Sequence, residues 1–243
     1  MDVSSNNQTF LEGNLVVQQQ PSGYRFSIDA ILLASFISPK PYDHIVDLGT
    51  GCGIIPLLIA KKNNSIQISG VEIQQELAEL ATSNIAANSL IDRIQVIHGD
   101  IKSIGQFFTA GSIDIVVTNP PYRKHNSGRI NPNHQKAIAR HEIMLTLEEL
   151  VQATAYLLKT GGKCSIIYSS ERMTDLLTLL RYHHIEPKRM TLIHSQLQEP
   201  AIRIVVQAVK NALPGLTIDP PIAIYKETGE YTEKVTQMFI SAS

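Results

Sequence analysis

The sequence feature that most constrains the fold is a glycine-rich turn placed between two apolar runs. The run His44-Ile45-Val46-Asp47-Leu48 leads into Gly49-Thr50-Gly51-Cys52-Gly53, and a second apolar segment follows over 54–60. This pattern predicts a buried strand, a tight turn and a buried helix, because glycines permit the turn and the close approach of a ligand. N–H groups at the start of the helix would face that ligand. We therefore expect an α/β fold with a binding site at this turn.

The spacing of the glycines and the acid before them indicate the ligand. The spacing is G-x-G-x-G, whereas dinucleotide binders commonly have G-x-G-x-x-G. Asp47 would repel a pyrophosphate but attract a cation, and such an attraction is strong in a cleft. S-adenosylmethionine carries an ammonium and a sulfonium group, whereas NAD carries two phosphates. The sequence thus favours S-adenosyl-L-methionine as the cofactor and disfavours a nicotinamide oxidoreductase.

Two further acids end the next two predicted strands. Glu72 lies near the end of the apolar run 66–73, where a carboxylate can accept hydrogen bonds from both hydroxyls of a ribose. Asp100 ends the run 94–100, and we expect it to accept a hydrogen bond from the adenine amino group, with Ile73 or Ile101 packed against the ring. The predicted cofactor-binding residues are Asp47, Gly49, Thr50, Gly51, Gly53, Glu72, Ile73, Asp100, Ile101 and Asn119.

The tetrapeptide Asn119-Pro120-Pro121-Tyr122 follows a fourth apolar, β-branched run, residues 113–118. Two consecutive prolines end the strand, because neither can donate a ladder hydrogen bond. The Asn119 side-chain oxygen and the Pro120 carbonyl could each accept one hydrogen of a planar NH2 group, and Tyr122 could stack on a base. We predict that these four residues form the catalytic site; the alternative is a plain turn after a strand.

A long basic segment follows the tetrapeptide. Residues 123–141 contain five Lys or Arg, three His and no Asp or Glu, and they show no apolar period. Such a loop would attract phosphates, although a merely solvated loop is the alternative. The predicted substrate-binding residues are Arg25, Asp29, Arg123, Lys124, Arg129, Lys136 and Arg140. Arg25 and Asp29 could equally be ordinary surface charges.

Composition excludes several classes of protein. The chain has 243 residues, 43% of them hydrophobic, and a formal net charge of −1, so any nucleic-acid binding must come from a local patch. No apolar run reaches the length of a membrane span, and neither a signal-like start nor metal-ligand spacing is present. Cys52 and Cys164 lie in apparently buried segments, which indicates a reducing compartment. We expect a cytoplasmic monomer without a metal.

The order of elements predicts a doubly wound, mostly parallel sheet of the Rossmann-like type. Residues 1–40 are expected to form an N-terminal β-hairpin and helix extension, with strands at 14–19 and 24–27 after a frayed start, and 41–243 to form the main domain, effectively one domain with it. The last strands, 189–194 and 203–210, are expected to form an antiparallel pair. No element is predicted in the tail after them.

The ordered motifs resemble those of class I S-adenosylmethionine-dependent methyltransferases. The resemblance is carried by Asp47 to Gly53, Glu72, Asp100 and Asn119 to Tyr122. It implies a seven-stranded sheet whose last strand is antiparallel. The N-P-P-Y motif is similar to that of enzymes that methylate planar amino nitrogens, namely adenine N6 or the glutamine of peptide release factors.

Four further segments resemble the tRNA1(Val) (adenine-37-N6)-methyltransferase family. They are 25–34, 139–142, 220–225 and 229–232, so that the similarity spans nearly the whole chain. The resemblance implies methylation of an adenine N6 in a tRNA anticodon loop, with a flipped adenine held by Asn119 to Tyr122. Alternatives are a protein glutamine methyltransferase, an N6-adenine methyltransferase of ribosomal RNA or DNA, and a non-catalytic RNA-binding module.

Overall fold

The computed structural model of the protein describes residues 7–10, 15–19, 28–120 and 145–240. The strands are β1 (Asn7–Phe10), β2 (Leu15–Gln18), β3 (His44–Leu48), β4 (Gln67–Glu72), β5 (Ile94–His98), β6 (Ile113–Thr118), β7 (Leu158–Ser169), β8 (Ile185–His194), β9 (Ala201–Lys210) and β10 (Thr217–Ala223). The helices are α1 (Ile28–Ser35), α2 (Ile54–Lys62), α3 (Gln75–Ala87), α4 (Leu147–Leu157), α5 (Met173–Tyr182) and α6 (Glu233–Ile240). Among the described residues, two short 3-10 helices cover Ile101–Gln106 and Ser170–Arg172.

Within the described residues, eight strands form one sheet in the order β10-β8-β9-β7-β6-β3-β4-β5. Every neighbouring pair is parallel except those that contain β9, which runs antiparallel to both β7 and β8. The doubly wound, mostly parallel sheet and the antiparallel last pair of the prediction are thereby confirmed. The expected number of strands was one too few, because β10 adds an eighth strand beside β8.

The N-terminal strand pair consists of different strands from those predicted. The strand expected at 14–19 is present as β2, but it pairs in antiparallel register with β1, with Phe10 opposite Leu15. The start of the chain was expected to be frayed through residue 9, and this was wrong for β1, whose polar sequence gives no apolar alternation. The other expected strand, 24–27, lies outside the described residues.

Apolar side chains cover both faces of the sheet, as a doubly wound fold requires. Alternate residues of β3 point to opposite faces of the sheet. Ile45 packs in the layer formed with α1 and α2, whereas Val46 and Leu48 pack in the layer formed with α4 and α5. This alternation explains why Ile45, Val46 and Leu48 are all apolar, since both faces of the strand are covered. α4 begins at a capping box in which Thr146 and Glu149 satisfy each other's backbone N–H groups.

Parallel pairing brings the carboxyl ends of the central strands to one edge of the sheet. Leu48 of β3 lies opposite Val71 of β4 and Thr118 of β6, and Glu72 lies opposite His98 of β5. Ligands of open α/β sheets bind at this edge. No helix among the described residues is long and apolar enough to cross a membrane.

Candidate active site

The glycine turn after β3 is built from residues in the left-handed region. Gly49, Gly51 and Gly53 have φ of 77°, 57° and 83°, a region that side chains with a Cβ avoid. The amides of Gly49 and Thr50 both donate to the carbonyl of Val71, at 2.9 and 3.1 Å, so that the turn is fastened to β4. α2 starts directly after Gly53. The predicted order of strand, turn and helix is therefore confirmed.

Gly70 in β4 gives the turn the room it needs. A Cβ at Gly70 would lie 2.8 Å from both Cγ2 and Oγ1 of Thr50, closer than real contacts allow. Thr50 is buried and fills this space. Sequence reasoning missed Gly70, although a glycine inside a predicted strand is a sign of close backbone approach.

Glu72 connects the turn to the end of β4. The residue is 5% exposed. Its Oε2 accepts a hydrogen bond from the Gly51 amide and its Oε1 accepts one from the Gln74 amide, both at 2.9 Å. Each carboxylate oxygen has a second lone pair, so Glu72 can also accept two hydroxyl groups of a ligand. The arrangement fits the ribose-binding role that the sequence predicts.

Asp47 is an acid in surroundings that are unusual for a carboxylate. It has no exposed surface, and within the described part of the chain neither of its oxygens, nor the buried hydroxyl of Thr50, has a hydrogen-bond partner. Burial raises the pKa of Asp47 to about 7; the nearby Thr50 hydroxyl lowers that pKa, and the charge of Glu72 raises it further. A buried carboxylate without a partner is costly unless a cation reaches it. The site therefore fits a positively charged ligand such as S-adenosylmethionine.

Asp100 and the two isoleucines follow the ends of the neighbouring strands. Asp100 is partly exposed and caps the 3-10 helix Ile101–Gln106, accepting from the Lys102 amide at 2.9 Å. Ile73 is half-buried, whereas Ile101 packs into the core and is 8% exposed. Of the two, Ile73 is thus the more available to contact a ring. Gly99 allows the Phe107 ring to approach the backbone here, because a Cβ at residue 99 would lie 2.5 Å from that ring.

Asn119 and Pro120 leave β6 beside the glycine turn. Thr118 lies opposite Leu48, and its hydroxyl donates to the Leu48 carbonyl at 2.8 Å. Gly49 and Asn119 therefore follow directly after paired residues of adjacent strands. Asn119 is half-buried and Pro120 is buried.

Several predicted site residues lie outside the described residues. They are Pro121 and Tyr122 of the tetrapeptide, and Arg25, Arg123, Lys124, Arg129, Lys136 and Arg140 of the substrate-binding set.

Asp29 is the predicted substrate-binding residue that the structure does describe. It is 5% exposed, and its Oδ2 forms an ion pair with Nε of Arg203 at 3.1 Å. Arg203 lies opposite Ser169 at the carboxyl end of β7, so the pair lies at the same sheet edge as the turn. The alternative that Asp29 is an ordinary surface charge is wrong. Arg203 was not among the predicted residues, because a partner 174 residues away leaves no local signal.

Among the described residues, no group of three or more His, Cys, Asp or Glu side chains is arranged to hold a metal ion.

Comparison with known proteins connects this geometry to a family. The sequence profile of the methyltransferase small domain matches residues 22–179. A tRNA1(Val) (adenine(37)-N6)-methyltransferase of Porphyromonas gingivalis is 28% identical over 238 residues, which cover 93% of this chain and 92% of the relative. A protein of the same name from a Flavobacteriaceae bacterium is 30% identical, covering 72% of this chain and 79% of the relative.

A solved structure agrees in fold. The crystal structure of a predicted O-methyltransferase, Atu636 from Agrobacterium tumefaciens, superposes with a TM-score of 0.72 at 22% identity, covering 88% of this chain and 96% of that one. The chain thus belongs to the methyltransferase small domain family, within the tRNA1(Val) (adenine(37)-N6)-methyltransferases, and is a methyltransferase with S-adenosyl-L-methionine as its cofactor.

Proposed function

We propose that this protein methylates the exocyclic N6 of an adenine in a tRNA anticodon loop, and that the adenine is residue 37 of tRNA1(Val). The relatives of that name support the substrate, since two of them align with most of the chain. One structural observation supports the reaction. The glycine turn and Asn119-Pro120 leave adjacent strands at paired positions, so that a cofactor site and an amine-binding corner can share one cleft.

The cofactor site is assigned to residues that suit each part of S-adenosylmethionine. The Glu72 carboxylate would accept the ribose hydroxyls, and Asp100 with Ile73 would hold the adenine moiety. The unpartnered Asp47 carboxylate would face the positive charge of the methionine end. When bound, the cofactor supplies an electrophilic methyl group.

The chain's own part in methyl transfer is to hold and orient the accepting amine. The Asn119 side-chain oxygen and the Pro120 carbonyl would accept the two N6 hydrogens, which draws the nitrogen lone pair out of conjugation with the ring. Tyr122 would stack on the base, and a loop base can leave its stack at lower cost than a base in a duplex. Such a site works by orientation and needs no nucleophilic side chain.

The basic segment 123–141 would hold the phosphates on either side of the target base. Its five Lys or Arg and absence of Asp and Glu stand against a chain net charge of −1, which concentrates positive charge after Tyr122. Arg25 and Asp29 are proposed to line the same side of the site. The buried free thiols of Cys52 and Cys164 suit the reducing cytoplasm, where we propose the enzyme works.

Transfer of labelled methyl from S-adenosylmethionine to total tRNA from cells lacking the enzyme tests this function. We expect N6-methyladenosine in one tRNA species on nucleoside analysis. Cofactor binding without transfer to any tRNA would reject the tRNA substrate and direct the assay to peptide release factors.

Asn119→Ala tests the proposed chemistry. We expect kcat to fall by about a hundredfold or more, because a preorganised hydrogen bond to the reacting group is lost. Asn211→Ala is the control, since Asn211 follows the carboxyl end of β9 and so lies at the opposite sheet edge. Full turnover of Asn119→Ala would contradict the mechanism.

A further inference from the structure

Asn84 of α3 and Asn88, the residue directly after that helix, lie one helical turn apart and face the N-terminal strand β2. The Asn84 side chain accepts from the Gln18 amide at 2.8 Å and donates to the Gln18 carbonyl at 3.1 Å. The Asn88 side chain accepts from the Val16 amide at 3.0 Å and donates to the Val16 carbonyl at 2.7 Å. The two side-chain amides therefore bond to β2 in the way that a neighbouring strand would. They use the backbone N–H and C=O groups of Val16 and Gln18, alternate residues whose backbone groups point to the same side of the strand.

The third hydrogen bond distinguishes the two asparagines. Asn88 donates its second amide hydrogen to the backbone carbonyl of Asn84, in the last turn of α3, at 2.8 Å. Asn84 donates its second hydrogen to the Cys52 carbonyl at 2.9 Å, in the middle of the glycine turn. Asn84 has no exposed surface, so this bond does not compete with water.

The bond from Asn84 fixes a peptide group at the centre of the turn. The Cys52 carbonyl belongs to the same planar unit as the Gly53 amide, which donates to the Thr50 carbonyl at 3.0 Å. On the other side of Cys52, the Gly51 amide donates to Glu72. The glycines at 51 and 53 are conformationally free in themselves, so these bonds determine which way the peptides of the turn point.

We propose that Asn84 is a positioning residue for the cofactor: it holds the glycine turn in its binding conformation and connects that turn to β2. The proposal rests on the assignment of the turn to S-adenosylmethionine. Asn84 touches neither the cofactor nor the substrate and acts through the Cys52–Gly53 peptide. β2 is thereby coupled to cofactor binding, and the coupling is reciprocal.

Asn88 provides a matched control, because it makes the same two bonds to β2 but none to the turn. We expect Asn84→Ala and Asn88→Ala both to lower the melting temperature of the full chain, Asn84→Ala by more, because Asn84 is fully buried and makes the additional bond to the Cys52 carbonyl. Titration calorimetry with S-adenosylmethionine should show about tenfold weaker binding for Asn84→Ala, the loss expected for one preorganising hydrogen bond. Asn88→Ala should stay within about twofold of the unaltered protein. Normal affinity of Asn84→Ala, or an equal loss in Asn88→Ala, would overturn the proposal.

A second measurement needs no variant and covers the case in which Asn84→Ala does not fold. Hydrogen exchange of the unaltered protein should show added protection of the Val16 and Gln18 amides when S-adenosylmethionine is present. Protection of the glycine turn without any change at β2 would overturn the coupling. Neither experiment contains RNA, so a failed tRNA methylation assay and a failed positioning role give separate results.

Discussion

Asp47 has a carboxylate that the fold buries completely and leaves without a hydrogen-bond partner in the described part of the chain. Because burial raises the pKa of Asp47 from 3.8 to about 7, the folded protein without cofactor binds a proton at Asp47 more tightly than the unfolded chain does. The resulting contribution to stability is fully present below about pH 3.8 and is lost as the pH rises through about 7. A bound cation has the opposite preference, because it stabilises the carboxylate.

We therefore predict that the affinity for S-adenosylmethionine rises with pH through about 7 and that binding releases a proton from Asp47. Titration calorimetry in buffers of different ionisation enthalpy measures both effects. Asp47→Asn should weaken binding and remove this pH dependence. An unchanged pH profile in Asp47→Asn would assign the titration to another group.

At the level of single residues, sequence reasoning identified side chains that combine chemical function with a local pattern. Glu72 ends β4 as predicted, and Asp100 lies two residues after the end of β5; both were found because the apolar runs before them are unambiguous. Asn84 and Arg203 were missed for the opposite reason. Asn84 bonds to residues 66 and 32 positions away, and only the tertiary structure brings those partners together.

The element that shapes the glycine turn is β4, which passes beside it. Gly70 is the position at which β4 comes within contact of the Thr50 side chain. The strand and the turn therefore form one packed unit, and neither can shift without the other.

Gly70→Ala should lower the free energy of unfolding by about 1–3 kcal/mol, the usual cost of adding volume to a well-packed core. It should also weaken cofactor binding, because the buried Thr50 has to move and carries the turn with it. Chemical denaturation and titration calorimetry measure the two effects. Adding Thr50→Gly removes the three atoms nearest to the new Cβ and should restore part of the stability. A double variant less stable than Gly70→Ala would contradict the steric explanation.

Strands β3 to β6 were predicted with nearly correct bounds. In contrast, β8 begins at Ile185 and not at the predicted residue 189, and β1, β10 and α6 were not predicted. β1 has the sequence Asn-Gln-Thr-Phe, and β10 contains Pro220 and Pro221 with mostly exposed side chains. Their pairing depends on tertiary contacts such as the double hydrogen bond between Arg189 of β8 and Asp219 of β10. Such contacts cannot be read from a local pattern.

Charge is distributed unevenly along the whole sequence. The formal net charge is −1, yet the segment 123–141 carries five Lys or Arg without an acid. Binding of RNA through this segment would release counterions from the phosphates, so affinity should fall steeply with salt.

Replacing Arg129 and Lys136 by Gln should weaken tRNA binding and reduce the slope of log affinity against log salt by up to about one for each residue. Affinity for S-adenosylmethionine should not change. The control replaces Lys61 and Lys163, which lie toward the opposite edge of the sheet. An equal loss of slope in the control pair would show that the effect follows net charge and not the segment.

The contact between α1 and α6 joins a helix made early in the chain to one made very late. Val235 of α6 is fully buried in the layer that α1 and α2 form on the sheet. During synthesis by the ribosome, the part of α1 that contacts α6 must therefore stay uncovered until the strands of the sheet have been made. This layer is complete only when α6 has left the ribosome, and a chain stalled before α6 would expose apolar surface to chaperones and proteases.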